Sequence, residues 1–564
     1  NLRAGRPLER RELFGWYLYD WGNSAYYQAA IVVFIPLLVN SLASDFAWSR
    51  VDGERPLHCE DEALLPGQEC YQCVEGRGNR LFPGEREMPR VTLPGGVEPL
   101  SLTFLVVSLS VLGQALTFVS FGPLGDVGEY RRKALMAFSY LGSVSTMLFL
   151  VCPASASLYW LGAVLVVVSN IALGASIVFY NSYLPLLVDA TDEVQATARK
   201  LKGAEGGREE AEAALEAART RYENEYSQKG IAYGYTGGSS ALLVCIALAF
   251  ALADAMASQW LLGLCIFFSG AWWFVFSTWS FRYFHDRIVP DSGAAVPTAW
   301  GLVSFGWRQT FDTVAHARQH RQIFLFLVLY FFFSDGYSTI ASVAAVFAQQ
   351  EMCFSLTEVS ILSLVTPVCA AVAGFGFMGL QRRFGWEPKR LLIAHLLVMA
   401  LLPLWGVVGF FSDSIGIRQK AELWVLAVVY GAQLGSTQAI ARSLFSEMVP
   451  VGHEARYFSL YEVTDKGSSW LGPLVASALA QAYGTIRPSL IYLLCVMIVP
   501  ALLLFVVDVD KARQESGRLA YHATGLSTAL EPPRGQGGAS EEEEGSRDDL
   551  LQAAAAAEKA SGAV

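Results

Sequence analysis

The feature that most constrains this chain is a series of apolar runs of about 20 residues, repeated along most of its length. A helix needs roughly 20 apolar residues to cross the bilayer core, which is about 30 Å thick. The composition agrees, because 53% of the residues are hydrophobic and 16% are charged, whereas soluble domains carry about 25% charged residues. Since a backbone in lipid must satisfy its own hydrogen bonds, such runs form helices. The sequence therefore predicts an all-α membrane protein.

Twelve runs are predicted to be transmembrane spans. In chain order they lie near 14–42, 100–123, 133–153, 157–188, 229–253, 259–281, 322–349, 355–380, 390–412, 421–446, 457–484 and 487–508. The loops after spans 2 and 8 are short and basic, as is the N-terminal segment, so the positive-inside rule places these loops and both termini in the cytoplasm. The first run lacks a small-residue cleavage site and is predicted to be a retained anchor.

Three soluble segments and a tail separate or follow the spans. Residues 43–99 form a loop on the lumenal side, residues 189–228 a charged cytoplasmic insertion that favours a solvated helix, and residues 282–321 a cytoplasmic linker. The tail, 509–564, is rich in Pro, Gly, Glu and Ala and is predicted to be disordered. Because the acids that give the net charge of -10 lie mainly in these segments, that charge says little about the membrane domain.

An internal repeat divides the membrane domain into residues 1–281 and 322–508, each with six spans. Span 1 carries Asp20, Asn23 and Ser24 on one helical face, and span 7 carries Asp335, Ser338 and Thr339 at the same i, i+3, i+4 spacing. Acids at membrane depth are costly and usually face a polar interior or a water-filled path. Parallel six-span repeats are typical of major-facilitator transporters, whose substrate site lies between the halves near the midplane.

A glycine-rich motif follows span 2. The stretch 122–133, GPLGDVGEYRRK, resembles the major-facilitator signature between spans 2 and 3, and the residues that carry the resemblance are Gly122, Asp126, Gly128, Arg131 and Arg132. The glycines permit close helix approach, and an acid there can meet a helix N-terminus or a basic partner as a cytoplasmic latch. The alternative is a simple basic loop. The second copy, 379–385 (GLQRRFG), lacks the acid, which predicts an asymmetric latch.

Five further stretches, in the expected order, resemble the family of autophagy-related protein twenty-two, the vacuolar amino-acid effluxers of the major facilitator superfamily. They are 15–26 (GWYLYDWGNSAY), 179–187 (FYNSYLPLL), 227–238 (SQKGIAYGYTGG), 330–340 (YFFFSDGYSTI) and 431–473. The resemblance spans about 12 to 508. It implies a major-facilitator fold and efflux of amino acids, such as leucine, from the vacuole or lysosome after autophagic breakdown.

An amino acid needs acceptors for its ammonium and donors for its carboxylate. Among polar residues of the spans, Asp20 and Asp335 are candidate acceptors. The candidate donors and other residues of the path are Asn23, Ser24, Asn181, Ser338, Gln433, Gln438, Arg442 and Lys466. The two acids could also carry a proton between the two sides of the membrane.

Structural alternatives remain for these residues. The two acids could hold span 1 to span 7 or cap local structure, and Asn181 could satisfy the backbone freed by Pro185. Arg442 could snorkel to lipid phosphates. For Lys466, an intrahelical pair with Glu462 at i−4 is favoured over a partner on another helix.

The cysteines predict disulfides rather than a metal site. Cys59, Cys70 and Cys73 fall in the lumenal loop and Cys353 after span 7 on the same side, where an oxidising lumen would allow one or two disulfides. One Cys-x-x-Cys pair without a histidine cluster is weak evidence for zinc.

The sequence favours a secondary active transporter without a cofactor. It contains no phosphate-binding loop, zinc-protease helix or nucleophile elbow, so an enzyme and an ATP-driven pump are both disfavoured. We expect small solutes and membrane lipid as partners and no nucleic acid. The alternatives are a transporter of another solute, such as an organic anion or a sugar, and a non-transporting membrane sensor.

Overall fold

The computed structural model of the chain describes most of the predicted membrane domain. The described residues are 7–50, 57–58, 70–74, 78–82, 86–87, 93–94, 99–127, 129–203, 207–252, 255–285, 299–350, 352, 354, 356–411, 415–469, 471–483 and 487–516. Eleven helices among them are long and apolar enough to cross a membrane. They correspond to predicted spans 1–10 and 12.

The first half contains spans 1–6. Span 1 runs from Arg10–Ala25 through a π-helical stretch, Tyr26–Phe34, into Ile35–Trp48. The other helices are Pro99–Phe121 (span 2), Tyr130–Met147 (span 3), Tyr159–Asn181 (span 4), Leu184–Asp189, Asp192–Lys202, Arg208–Leu252 (span 5) and Ser258–Phe281 (span 6). Three 3₁₀ turns extend or join these helices: Gly122–Asp126, Leu148–Ala154 and Ala156–Leu158.

The second half follows a linker helix, Ala299–Ala315, and a 3₁₀ turn, His316–Arg318. Its helices are Arg321–Gln350 (span 7), Leu356–Phe384 (span 8), Pro388–Val408 (span 9), Lys420–Met448 (span 10) and Ser489–Leu503 (span 12), which a 3₁₀ turn, Leu504–Val506, continues. A tail helix, Val509–Glu515, comes next. The predicted disordered tail therefore begins with a helix, and residues 517–564 lie outside the described part.

Predicted span 11 is not one continuous helix. It consists of Glu454–Ser468 and Leu471–Tyr483, of 15 and 13 residues, and neither alone has the length of a span. The break coincides with a run of residues that favour turns, since Gly467, Ser468 and Ser469 precede it. The second helix then has Pro473 in its first turn, where a missing backbone N–H is tolerated.

The loop 43–99 contains a small sheet, which the all-α prediction did not include. Strands Leu57–His58, Cys70–Val74, Gly78–Phe82 and Arg86–Glu87 lie in this order, the first pair parallel and the other two antiparallel. Backbone register pairs Cys70 with Phe82 and Cys73 with Asn79. Cys59 and Cys353 lie outside the described residues, as do the side chains of the other two loop cysteines, so the disulfides remain a prediction.

Span 5 continues far beyond the thickness of a bilayer. Arg208–Leu252 has 45 residues, which is about 68 Å of helix at 1.5 Å per residue. Its first turns pack Leu215 and Ala218 against Val194 and Leu201 of the helix Asp192–Lys202. The predicted insertion 189–228 is therefore two helices with a shared apolar core, and the second of them is the start of span 5.

Each half has its own apolar core. One large buried cluster takes residues from 323 to 512, and two others take residues from 16 to 284. We call the end of the bundle that carries the loops before spans 3 and 9 the basic-loop end, and the opposite end, which carries the strands, the sheet end.

Candidate functional site

Arg442 of span 10 joins the second half to three spans of the first. Its Nε donates to Ser227 Oγ at 2.9 Å and its Nη2 to the Ser227 carbonyl at 2.8 Å. The guanidinium carbon also lies 5.2 Å from the Trp16 ring centroid and 5.9 Å from that of Tyr180, within the range of cation–π attraction. The side chain is buried. It therefore lies inside the interface between the halves and does not snorkel to lipid phosphates.

Asn181 extends this contact to the broken span. Its Oδ1 accepts from Arg442 Nη1 at 3.1 Å, and its Nδ2 donates to Glu462 Oε1 at 2.8 Å. Both partners belong to the second half, so the side chain links the halves and does not serve the backbone beside Pro185. Glu462 is buried, and this bond satisfies a charged group that would otherwise be costly to desolvate.

Asp20 lies next to Arg442 and packs on span 5. A Cβ at Gly234 would lie 3.1 Å from Asp20 Cγ and 2.9 Å from Ser24 Oγ, so glycine at this position lets the polar face of span 1 touch span 5. Arg442 is the cation whose charge acts on the Asp20 carboxylate. Asp20 Oδ2 and Asn23 Nδ2 are buried and have no hydrogen-bond partner within the described part of the chain.

Asp335, the repeat-related acid, has a different environment. Its Oδ1 accepts from the backbone N–H of Gly472 at 2.9 Å and its Oδ2 from the Tyr492 hydroxyl at 2.8 Å. Gly472 is in the first turn of the helix Leu471–Tyr483, so Asp335 caps that helix from a neighbouring span. The two acids occupy equivalent sequence positions, but Asp335 caps a helix whereas Asp20 lies beside Arg442 with one oxygen unpaired among the described residues. Ser338, one turn further on, is half-buried.

Lys466 pairs with its neighbour Asp465, and the predicted intrahelical pair with Glu462 is wrong. Lys466 Nζ lies 2.7 Å from Asp465 Oδ2. Asp465 Oδ1 accepts from the hydroxyls of Tyr330 and Tyr337, both at 2.9 Å, and from Ser334. Sequence reasoning missed Asp465 as a site residue, although an acid beside a lysine within an apolar run is a visible signal.

The two predicted glutamines have separate partners. Gln438 Oε1 accepts from the Tyr235 hydroxyl at 2.8 Å, which joins spans 5 and 10 across the interface. Gln433 bonds through its Oε1 to His395 Nδ1, and His395 Nε2 lies 3.1 Å from Ser436 Oγ. Gln433 therefore belongs to a polar contact between spans 9 and 10 of one half. His395 carried no pattern that pointed to this role.

Asp126 bridges the halves at the basic-loop end. Its Oδ1 accepts from the backbone N–H of Ala455 at 2.7 Å and its Oδ2 from that of Arg456 at 3.0 Å. These are orphan donors of the helix Glu454–Ser468, whose N-terminus attracts a negative charge. Arg131 Nη2 lies 3.3 Å from both Asp126 and Glu454. We call this group the latch.

The rest of the motif explains how closely the halves approach there. A Cβ at Gly122 would overlap Ser459 Oγ at 1.6 Å, so only glycine allows this contact. Arg132 lies within the first half, where Nη2 donates to the Phe281 carbonyl at 3.1 Å. Gly128 lies outside the described residues.

The second motif copy makes a neutral contact in place of a charged one. Gln381 Oε1 accepts from Asn224 Nδ2 and from Gln228 Nε2, each at 2.6 Å, and so joins span 8 to span 5. The basic-loop end is therefore held by a charged contact on one side and an amide contact on the other.

His453 lies beside the latch, outside the spans. It is buried, and burial, followed by the nearby charge of Arg456, lowers its pKa to about 3. Neither ring nitrogen has a hydrogen-bond partner among the residues the structure describes. The imidazole is therefore neutral at physiological pH.

The chemistry that this site offers is charge recognition at the interface between the two halves. Five charged side chains of this site lie in the interface: Arg442 and Glu462 are buried, and Asp20, Asp465 and Lys466 are half-buried. In the described part of the chain no three His, Cys, Asp or Glu side chains are placed to hold a metal ion.

Solved structures identify the architecture. The proton:xylose symporter XylE, bound to 6-bromo-6-deoxy-D-glucose, matches with a TM-score of 0.54 over 88% of this chain and 94% of its own, at 13% sequence identity. The human organic anion transporter MFSD10 (TETRAN) matches with a TM-score of 0.53 over 88% of this chain and 100% of its own, at 12% identity. The fold is that of a major-facilitator transporter.

The family follows from the sequence comparisons. The family model described as "Vacuole effluxer Atg22 like" matches residues 8–517, and the chain belongs to this family, as the sequence motifs predicted. Autophagy-related protein 22 of Pyricularia oryzae is 31% identical over 553 residues, which cover 91% of this chain and 78% of the relative. Autophagy-related protein 22-1 of Penicillium rubens is 28% identical over 577 residues, 93% and 94% of the two chains.

Proposed function

We propose that this membrane transporter exports amino acids, such as leucine, from the lumen of the vacuole or lysosome to the cytoplasm by alternating access. In this proposal the membrane is crossed twelve times, with the two helices of the broken span together forming the eleventh crossing. The basic-loop end and both termini face the cytoplasm, in agreement with the positive-inside rule.

The observation that carries the proposal is the placement of Arg442. A guanidinium of the second half is buried against Trp16, Tyr180 and Ser227 of the first half. Its hydrogen-bond acceptors among the described residues are all neutral oxygens, although an acid, Asp20, lies nearby. Placing a charged side chain at membrane depth costs free energy, and such residues usually belong to a functional site. A solute-binding site between the two halves would account for the charge of Arg442.

A zwitterion fits the unsatisfied polarity of this interface. The unpartnered Asp20 oxygen can accept from an ammonium, which is the stronger, charge-assisted type of hydrogen bond. The unpartnered Asn23 amide can donate to a carboxylate or a carbonyl oxygen. An amino acid supplies both groups within one small molecule.

The latch supports alternating access. Asp126, Gln381 and Arg442 each hold the halves together toward the basic-loop end. These contacts must separate before a solute bound between the halves can leave at that end. The structure therefore corresponds to a state closed toward the proposed cytoplasmic side.

The proposal includes coupling to protons. An acidic lumen supplies a proton gradient in the export direction. As the halves rock, a carboxylate such as Asp20 would face first one side of the membrane and then the other, with or without a bound proton. No tightly bound cofactor is needed for such a cycle.

The first test uses purified protein in proteoliposomes. Uptake of labelled leucine is measured with and without a pH gradient for the wild type, Asp20→Asn and Asp335→Asn. We expect Asp20→Asn to lose gradient-driven uptake. Asp335→Asn is the matched control, because an amide keeps an acceptor for the Gly472 N–H, and its uptake should persist. Equal, gradient-independent uptake in all three proteins would show that both acids are structural.

The second test measures amino-acid pools in isolated vacuoles that carry or lack this protein. Unchanged leucine, isoleucine and tyrosine after starvation would contradict the effluxer assignment. A stability screen with amino acids, sugars and organic anions then separates the two other candidates. Stabilisation by another solute indicates a different transporter, and no stabilisation by any of them favours a sensor.

A further inference from the structure

Lys466 lies at the boundary between the halves. Its ammonium nitrogen is 5.6 Å from the ring centroid of Tyr27, which belongs to span 1. The Lys466 side chain is 26% exposed and its partner Asp465 13%, whereas Arg442 is 4% exposed. Of Arg442 and Lys466, the lysine is therefore the one that an incoming solute can reach.

Asp465 has hydrogen-bond donors other than Lys466. The hydroxyls of Tyr330, Ser334 and Tyr337 all donate to its Oδ1 atom, and Lys466 bonds to Oδ2. Three donors on a carboxylate compensate most of its desolvation. If Lys466 turns toward another anion, Asp465 keeps three hydrogen bonds on one oxygen, and the incoming carboxylate takes its place as the anion beside the lysine.

Glu462 and Arg442 already have partners across the interface. Glu462 Oε1 accepts from Asn181, and Arg442 donates through three different nitrogens to Asn181 and Ser227. Lys466, by contrast, has three N–H donors, of which the pair with Asp465 uses one. The two remaining donors are available on the Tyr27 side.

Lys466 lies close to the end of the first helix of the broken span. Lys466 lies in the last turn of Glu454–Ser468, and the chain leaves the helix two residues later. The next helix, Leu471–Tyr483, is held separately by the bond from the Gly472 N–H to Asp335. The two helices of the broken span are therefore held by different acids, and the bond at Asp335 does not involve Lys466.

We propose that Lys466 binds the carboxylate of the transported solute and that Asp465 occupies this cation only until the solute arrives. This inference rests on the proposed function and assigns the group that holds the carboxylate end of the substrate. The face of Tyr27 holds the lysine in position when neither carboxylate is bound. No covalent bond forms or breaks, because the step exchanges one ion pair for another.

The test compares ligands that differ in one end, using purified protein and competition against labelled leucine. The ligands are leucine, leucinamide, which lacks the carboxylate, and N-acetylleucine, which lacks the ammonium. The variants are Lys466→Gln and Asp465→Asn. Lys229→Gln is the matched control, since Lys229 is 31% exposed and pairs with Glu225 in the same way.

In the wild type and the control, leucine should bind about 10- to 100-fold more tightly than leucinamide, the difference expected for one charged hydrogen-bonded contact. In Lys466→Gln this ratio should fall to about one, because the group that distinguishes the two ligands is gone. In Asp465→Asn leucine should bind more tightly than in the wild type, because the internal competitor has lost its charge. The two variants therefore move leucine affinity in opposite directions.

The outcomes separate the two proposals. If the wild type binds no amino acid, the proposed function fails and this inference fails with it. If the wild type binds leucine and Lys466→Gln keeps the leucine-to-leucinamide ratio, the carboxylate is held elsewhere. Equal losses of leucine affinity in both variants would show a structural ion pair. Lys466→Arg, which keeps the charge, should keep the ratio and serves if Lys466→Gln does not fold.

Discussion

Replacing Asp126 by asparagine should open the basic-loop end of the protein. The carboxylate accepts from two backbone N–H groups of the helix that begins at Glu454 and lies next to Arg131. An amide of the same shape keeps one acceptor oxygen, so Asp126→Asn loses one of the two backbone bonds and the negative charge at the helix N-terminus. The side chains around it are otherwise unchanged.

The size of the effect follows from that loss. A hydrogen bond to a charged group contributes about 1.5–3 kcal/mol, and a value of about 2 kcal/mol changes an equilibrium constant by about 30-fold. A wild-type population with about 1 open molecule in 100 would become one with about 1 in 4. Such a shift is large enough to observe directly.

The assay is the distance between two spin labels on opposite halves. Lys133→Cys and Arg390→Cys place the labels at exposed positions, since the two native side chains are 67% and 79% exposed. We expect a second, longer distance in Asp126→Asn. Asp312→Asn is the control, because it removes an exposed carboxylate at the same end. Identical distance distributions for Asp126→Asn and the wild type, at equal melting temperature, would refute this account of the latch.

Three further predictions test other parts of the site. In Arg442→Lys the single ammonium nitrogen cannot reach all the acceptors that three arginine nitrogens reach, so one or two hydrogen bonds are lost. Leucine transport should therefore fall at least about tenfold, and unchanged transport would contradict the role of Arg442 between the halves. Asp335→Ala leaves the buried Gly472 N–H without its acceptor, at about 1–3 kcal/mol, and also removes the acceptor of the half-buried Tyr492 hydroxyl. The melting temperature measured by scanning fluorimetry should therefore fall, and an unchanged value would contradict the capping role. Because the pKa of His453 is lowered to about 3, the unfolded chain binds more protons below pH 6.5, so stability should fall from pH 7 to pH 4. His453→Gln should reduce that fall, and a pH profile like that of the wild type would contradict it.

The positions of most spans were predictable because hydrophobic length alone sets them. Span 9 was predicted near 390–412 and lies at Pro388–Val408, and span 6, predicted near 259–281, lies at Ser258–Phe281. Span 11 was the exception. Its first part carries Glu462, Asp465 and Lys466, so it is held by bonds to other helices more than by lipid, and hydropathy does not locate its break. The glycine and serine cluster after Lys466 was the available signal.

Side-chain partners were less predictable than the spans, since they depend on which helices become neighbours. Asp20 and Asp335 share one spacing, but span 5 packs a glycine against the first and the broken span offers an N–H to the second. Helical periodicity placed Glu462 within reach of Lys466, and Asn181 of another span bonds to Glu462 instead. By contrast, the position of Asp126 at the end of a span made contact with a helix N-terminus a natural expectation.

The length of span 5 has a mechanical consequence. A continuous helix of 45 residues is a rigid lever of about 68 Å, and only part of it lies within the bilayer. Each degree by which the first half tilts displaces the far end of that lever by about 1 Å. Arg513 of the tail helix touches the lever at Thr220, with a bond of 2.7 Å. Rocking of the first half would thus move the outer end of span 5 relative to the tail helix, so that the two helices slide past each other outside the membrane.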